Sequence, residues 1–243
     1  LQPGENRLHW HAEGRAQSVA LRGGTVQWKA SPAGWQLLTD GLQVQRDNGA
    51  WQPWQMQLDR EGARLDGVLD PVSLQAVAPA LALLSGEHSL TDNWLRHLQP
   101  HGLLDNIRLQ HQLGSDDWQL TTRLQQVSWQ QWDKLPGVAQ LDGDLRLTPH
   151  EGRLALQMGE QTLRVGPLFP ADIPLQQASA TLQWQQTPTG WSLSSEAVEV
   201  KTPVLHSQGQ FTLTLPAQAS PHLSLLASID LQDAGQAWRY YPR

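Results

Sequence analysis

Side chains that could bind a metal ion or transfer protons occur in this chain, but their spacing matches no complete site. His9 and His11 are two residues apart on a predicted strand, so both imidazoles lie on one side and could begin a metal site. No third ligand follows at a motif spacing, which favours a structural or surface role. Asp142 and Asp144 form a D-x-D pair on the polar side of another predicted strand, where solvated carboxylates are expected. We therefore predict no metal and no cofactor.

Sequence motifs for covalent catalysis and for phosphate binding are absent. The chain has neither a G-x-S-x-G elbow nor a G-x-x-x-x-G-K-[ST] loop, so an ATP-driven cycle is not expected. It has no cysteine, which excludes a disulfide framework, a cysteine zinc site and a thiol nucleophile. Acidic residues are numerous enough for a glycosidase, but no pair is distinguished by its surroundings. The sequence favours a protein that is not an enzyme.

Composition and charge restrict the class of partner. The net charge is −6 and lysine and arginine are scattered, which argues against nucleic acid and against charge-driven adsorption to anionic lipid. Hydrophobic residues make up 39% and charged residues 16%, and glutamine, serine and threonine fill the difference, as in a sheet with one wet face. No apolar run of about 18 residues predicts a membrane span. No signal peptide opens the chain, so we expect a mature piece or a fragment of a longer protein.

Tryptophan is unusually frequent, with twelve residues against two tyrosines and two phenylalanines. Three interpretations remain open for these side chains. They could be stacking platforms for sugars, interfacial anchors for lipid, or packing groups at the ends of strands.

Apolar and polar residues alternate along most of the chain, which predicts half-buried strands of an antiparallel sheet. Leu120 and Leu124, for example, alternate with Gln119, Thr121 and Arg123. Turn signals at residues 114–117, 149–152 and 188–190 separate such runs at regular intervals. Because sheets twist, we predict a mainly β fold in which a long twisted antiparallel sheet curls into an open groove.

One stretch departs from the alternation. Leu74, Val77 and Leu81 follow a helical period, Asp70 can cap a helix and Pro71 suits its first position. We therefore predict one or two short connector helices, and three segments. Residues 1–70 form an N-terminal β segment, residues 71–100 the helical connector, and residues 101–243 a C-terminal β segment of the same groove.

Several short motifs occur together in a suggestive order. Trp129 and Trp132 form a W-x-x-W pattern, which Leu135-Pro136-Gly137 and then Leu141-Asp142-Gly143 follow. Gln99-Pro100-His101-Gly102 precedes them, and residues 233–242 read D-A-G-Q-A-W-R-Y-Y-P. In this order the motifs resemble those of the YhdP-type AsmA-like family. The resemblance implies a periplasmic, inner-membrane-anchored protein with a taco-shaped β-groove that carries phospholipid acyl chains toward the outer membrane. It implies no catalytic residue, and makes this chain an internal portion whose partners are phospholipid, the rest of the parent chain and, through other regions, both membranes.

The alternation also predicts which residues line such a groove. One apolar residue set, drawn from successive strands, should face the acyl chains: Ile107, Leu109, Leu120, Leu124, Leu141, Leu145, Leu147, Leu182, Phe211, Leu213, Leu225 and Ile229. Two alternatives stay open. A closed β-sandwich of the cell envelope would bury this face against itself and carry no lipid, and a carbohydrate-binding or carbohydrate-cleaving β protein would use the tryptophans.

Overall fold

The computed structural model describes residues 6–12, 15–46, 52–75, 97–133, 135–166 and 169–240. Nearly all regular structure in this part of the chain is β, and neighbouring strands pair antiparallel. The prediction of a mainly β fold with a large antiparallel sheet is confirmed. Among the described strands the sheet order has two ends, the first strand and the last, so the sheet is not closed on itself.

The chain divides into two compact units. Unit 1 comprises residues 1–96 and 103–122, and unit 2 comprises residues 97–102 and 123–243. The sequence-based division into segments 1–70, 71–100 and 101–243 stays a prediction.

Unit 1 holds the first seven strands, the eighth from residue 103 onward and the beginning of the ninth. Their bounds are β1 Asn6–Ala12, β2 Arg15–Arg22, β3 Thr25–Ser31, β4 Gly34–Arg46, β5 Gln52–Glu61, β6 Arg64–Leu69, β7 Val72–Ser73, β8 His101–Gln112 and β9 Trp118–Trp129. The path runs β1-β2-β4-β5-β6-β8, with β3 paired to the first part of β4 and β7 paired to β8. Short hairpin turns explain why strands adjacent in sequence are adjacent in the sheet.

Unit 2 continues the meander with eight further strands. Their bounds are β10 Val138–Leu147, β11 Glu151–Met158, β12 Gln161–Leu163, β13 Ile173–Leu175, β14 Gln177–Thr187, β15 Gly190–Lys201, β16 Leu205–Pro216 and β17 His222–Leu231. The path is β9-β10-β11-β14-β15-β16-β17. β12 and β13 leave it to form a separate two-stranded sheet, and a 3₁₀ helix, Ala234–Tyr240, follows β17. The alternation predicted neither of these two features.

Glycine allows β2 and β3 to pair with the same strand. The two strands meet at Gly23 and Gly24, whose φ angles are +62° and +69°, and both pair with β4. A Cβ atom at Gly24 would collide with the backbone of Leu42, so this close approach requires glycine. On its other side, β4 shifts register against β5 between Thr39 and Leu42, so that Asp40 and Gly41 lie opposite Gln55.

The start of the predicted connector differs from the expectation. Val72–Ser73 is a short strand paired to β8, so no helix begins at Pro71. Helical backbone is present at Leu74 and Gln75 and again at His97 and Leu98. The rest of the predicted connector, including Val77 and Leu81, lies outside the described residues. The helical period of the sequence did not decide the structure at residues 72 and 73, because pairing with β8 satisfies their backbone hydrogen-bonding groups.

Within the described part of the chain, no helix combines the length and the apolar character that crossing a membrane requires.

Candidate functional site

The strand register of unit 2 gathers its apolar side chains on one face. Directly paired residues share a face of a sheet, and Leu145, Leu154 and Leu182 are successive partners on β10, β11 and β14. Trp184, Leu193, Leu213 and Leu223 continue in a second row from β14 to β17. We call this side the apolar face of unit 2. It includes eight residues of the predicted lining: Leu141, Leu145, Leu147, Leu182, Phe211, Leu213, Leu225 and Ile229.

A β-bulge keeps the apolar residues of β15 on this face. Leu182 pairs with Ser195, while Ala180 pairs with Val198, so that one residue of β14 lies opposite two residues of β15. Without the extra residue, strict alternation would place Val198 on the other side of the sheet. The Ser195 hydroxyl donates to the carbonyl oxygen of Ala197 at 3.1 Å, within the bulge itself.

The opposite face of unit 2 is mainly polar, with Leu226 of β17, which is 67% exposed, as an apolar exception. Arg123 Nε donates to Asp144 Oδ1 at 3.2 Å, and His206 Nε2 lies 2.8 Å from Glu199 Oε1. The hydrogen bond from His206, and a further one from Gln208, hold the pKa of Glu199 below its usual value. All these groups are reached by water, so they give this side an ordinary solvated surface.

One end of the apolar face is covered by the chain itself. Leu141 is 3% exposed and Ala178 is 5% exposed, and Leu175 of β13 is 2% exposed. The small β12–β13 sheet is anchored here by Gln161, whose Oε1 accepts from the backbone N–H groups of Ala139 and Gln140 at 2.8 and 3.1 Å. Gln161 Nε2 in turn donates to the Gln140 carbonyl oxygen at 2.6 Å. We call this region the covered end.

The 3₁₀ helix after β17 is fastened near the same end. The hydroxyl of Tyr240 donates to Thr202 Oγ1 at 3.1 Å, and Thr202 is itself buried. Thr202 directly follows β15, whose last residues lie beside Gln177 and Ala178 of β14. This end of the face is therefore fixed by hydrogen bonds as well as by packing.

The other strands leave apolar side chains in contact with solvent. On β17, Leu223 is 59% exposed, Leu225 66% and Ile229 61%, although all three lie on the apolar face. Phe211, Leu213, Leu145, Leu147 and Leu182 are half-buried. Several apolar side chains that adjoin one another and remain exposed make this surface a candidate binding site. β17 is also the last strand of the described sheet, so no further strand covers its edge. We call the apolar surface of β15 to β17 the open part.

Trp184 lies flat within the apolar face instead of standing out from it. A Cβ atom at Gly152, its partner on β11, would collide with the indole ring, so the ring occupies the space that a side chain at position 152 would take. Because Gly152 has no side chain, the indole ring of Trp184 can lie over β11 within the apolar face. This arrangement matches the packing interpretation of the tryptophans.

Unit 1 has a corresponding apolar face of its own. Its central row crosses five strands as Trp28, Leu37, Leu58, Gly67 and Leu109, which are successive register partners. The next row ends at Ile107, so both predicted lining residues of β8 belong to this face. Of the other predicted residues, Leu120 is half-buried on β9, and Leu124 is 9% exposed.

The other side of unit 1 carries a hydrogen-bonded polar network. Asp59 accepts from Gln36 Nε2 at 2.7 Å and from Gln57 Nε2 at 2.5 Å. Arg64 holds Asp66 through two bonds of 2.6 and 2.9 Å, and this contact keeps the pKa of Asp66 below its usual value. Each carboxylate thus has a local partner, which is typical of a structural surface.

The described residues contain no group of three or more histidine, cysteine or acidic side chains placed to hold a metal ion. His9 pairs with Ser18 in the β1–β2 ladder and is exposed. Asp142 lies on the polar face, where one of its carboxylate oxygens accepts from the backbone N–H of Gln126 at 2.8 Å. This bond holds the backbone at Gln126, whose φ of +51° marks an irregularity in β9.

Comparison with known proteins agrees with the sequence motifs. The profile described as YhdP protein matches residues 1–243. A curated relative, the intermembrane phospholipid transporter YhdP of Escherichia coli (strain K12), is 27% identical over 252 residues. The alignment covers 96% of this chain but only 19% of the relative, so the chain spans about a fifth of that protein's length. No solved structure matches. Because the family profile covers the whole chain, the chain belongs to the YhdP family.

Proposed function

We propose that this chain is a non-catalytic lipid-binding conduit, in which phospholipid acyl chains lie along the apolar faces of its sheet. The observation that carries the proposal is the open part of unit 2, where Leu223, Leu225 and Ile229 are each more than half exposed on the apolar side. Hydrocarbon is the ligand class that matches a surface of leucine, isoleucine and phenylalanine.

The energetics favour such a surface as a path for lipid. Moving a phospholipid through water exposes two acyl chains, and at ~0.8 kcal/mol per methylene two chains of about 16 carbons cost on the order of 25 kcal/mol. A continuous apolar face removes much of this cost. Its contacts are non-directional, so a lipid can slide along it without breaking specific bonds. Nothing in the proposed mechanism supplies direction or energy.

The setting of the parent protein extends the proposal. The matched relative is named as an intermembrane phospholipid transporter, and we propose the same cargo here. The chain would be the periplasmic portion of an inner-membrane-anchored protein that moves phospholipid between the inner and outer membranes. Unit 1 and unit 2 would each offer an apolar face of its own to acyl chains, and the remaining parts of the parent chain would contact the membranes.

Site-specific photo-crosslinking tests the proposal on two adjacent residues. Leu213 lies on the apolar face and Thr212 on the polar face of the same strand. A photoreactive amino acid at position 213 should label co-purified phospholipid at least several times more than one at position 212. Leu145 and Arg146 on β10 provide a second pair with the same expectation. Equal labelling on both faces, or no lipid label at either apolar position, would contradict the assignment.

A second candidate function is a structural or interaction module without lipid cargo. The burial of Leu141, Leu175 and Ala178 favours it locally, because there the protein fills its own apolar face. This candidate predicts that the purified chain carries no lipid at any position along the sheet.

A further inference from the structure

Unit 1 ends its apolar face in a row whose chemistry differs from the interior rows. The row consists of successive register partners on β3, β4, β5, β6 and β8: Ala30, Trp35, Arg60, Leu65 and His111. It lies next to the turns that join β3 to β4 and β5 to β6. The row directly behind it is formed by Trp28, Leu37, Leu58, Gly67 and Leu109, and carries no charge. Charge and aromatic rings therefore meet at the rim of a hydrocarbon-like surface.

Arg60 is exposed and held in place by its backbone surroundings. Its Nε donates to the carbonyl oxygen of Gly62 at 3.0 Å, and a guanidinium has two terminal nitrogens that can donate to further acceptors. Asp59 and Glu61 precede and follow Arg60 in sequence, so they lie on the opposite face of β5. On that face they pair with Asp66 and Arg64. The rim is therefore positively charged on the apolar side of the sheet.

Two stacked indole rings flank this position. The ring centroids of Trp28 and Trp35 are 4.7 Å apart with an interplanar angle of 24°, and Trp28 is 56% exposed. Trp35 is also the direct register partner of Arg60. Tryptophan prefers the boundary between apolar and wet surroundings, and arginine binds phosphate through several parallel hydrogen bonds. From the interior rows to the rim, the surface changes from mainly hydrocarbon to a row in which Trp35 and Arg60 lie side by side, which matches the change from acyl chain to head group in a phospholipid.

We propose that Arg60, beside Trp35 and the Trp28 ring stacked on it, binds the phosphodiester of a glycerophospholipid whose acyl chains lie on the interior rows of unit 1. This inference rests on the proposed function and adds the head-group contact to it. The guanidinium forms charge-assisted hydrogen bonds to the phosphate oxygens, and the indole rings cover the glycerol region. The contact would anchor the head group at the wet rim while the acyl chains remain free to move along the face.

Native mass spectrometry of the 243-residue chain tests this assignment with two lipids of the same acyl composition. Dioleoyl phosphatidylglycerol carries the phosphodiester, whereas dioleoylglycerol lacks it. We expect Arg60→Gln to lower the retention of phosphatidylglycerol relative to dioleoylglycerol by about fivefold to tenfold, as loss of a charge-assisted hydrogen bond predicts. The matched control is Arg108→Gln, an exposed arginine on the opposite face of β8, which should leave the ratio unchanged.

The outcomes separate this inference from the proposed function. If the unsubstituted chain retains both lipids but Arg60→Gln leaves their ratio unchanged, or Arg108→Gln lowers it equally, the head-group assignment is wrong and the conduit stands. If the unsubstituted chain retains neither lipid, both proposals are wrong. Millimolar inorganic phosphate should not displace the phospholipid. Displacement by inorganic phosphate alone would overturn the assignment in favour of a free-phosphate site.

Discussion

The covered end and the open part of unit 2 belong to the same sheet face, but apolar side chains are buried at the covered end and exposed in the open part. At the covered end, Leu141 and Ala178 are buried, and Leu175 is the most completely buried large side chain among the described residues. In the open part, Leu225 and Ile229 carry the same kind of side chain and remain more than 60% exposed. At the covered end the β12–β13 sheet binds the start of β10 through Gln161, whereas β17 is the last strand of the described sheet and is exposed along nearly its whole length. Alternation therefore makes a face apolar, but the position of a strand in the sheet and the chain segments beside it decide whether its side chains are buried or exposed.

The largest expected effect is a difference in the free energy of unfolding between two variants, each of which truncates one leucine in one of these regions. Leu175→Ala should destabilise the chain by about 2–4 kcal/mol, because it opens a cavity at a fully packed site. Leu225→Ala should change the free energy of unfolding by less than about 0.5 kcal/mol, since most of that side chain is already in water. Chemical denaturation followed by far-UV circular dichroism measures both. Equal losses for the two variants would show that the open part is as tightly packed as the covered end.

A smaller effect on stability is expected from substitution of Glu199 on the polar face, which accepts a hydrogen bond from His206. The contact lowers the pKa of Glu199 in the folded chain, so its stabilising contribution is present above the unfolded pKa and is lost as pH falls through the folded pKa. Glu199→Gln should therefore lower stability slightly near neutral pH and leave it unchanged at acid pH, so that the acid side of the stability–pH profile becomes flatter. A steeper acid-side loss in the variant would contradict this sign.

Much of the sheet was predictable because its period is two and its turns are short. Leu145, Leu182 and Leu213 were expected on one side, and the register places them there. The bulge at Ser195 was not predictable, since an extra residue looks like any other until its partner strand is known. The same holds for β12 and β13, each of three residues, which are too short to show an alternation.

Burial was the least predictable property of the candidate site. Leu141 and Leu225 were both predicted to line the groove, and nothing in their local sequence separates them. Their exposures of 3% and 66% depend on the position of their strands, because Leu141 lies on an interior strand next to the segment that Gln161 anchors and Leu225 lies on the last described strand. The rim at Arg60 was missed for a related reason. Its significance depends on the cross-strand neighbour Trp35 and not on its neighbours in sequence.

The most direct measurement of the central claim uses the absence of native cysteine. A single cysteine placed at Leu225 or at its neighbour Ser224 can carry a small fluorophore, and the two positions lie on opposite faces of β17. Phospholipid with brominated acyl chains quenches a fluorophore only at short range. The account predicts strong quenching at position 225 and little at position 224. Equal quenching at the two positions, or none at 225, would contradict the claim that acyl chains occupy the open part of unit 2.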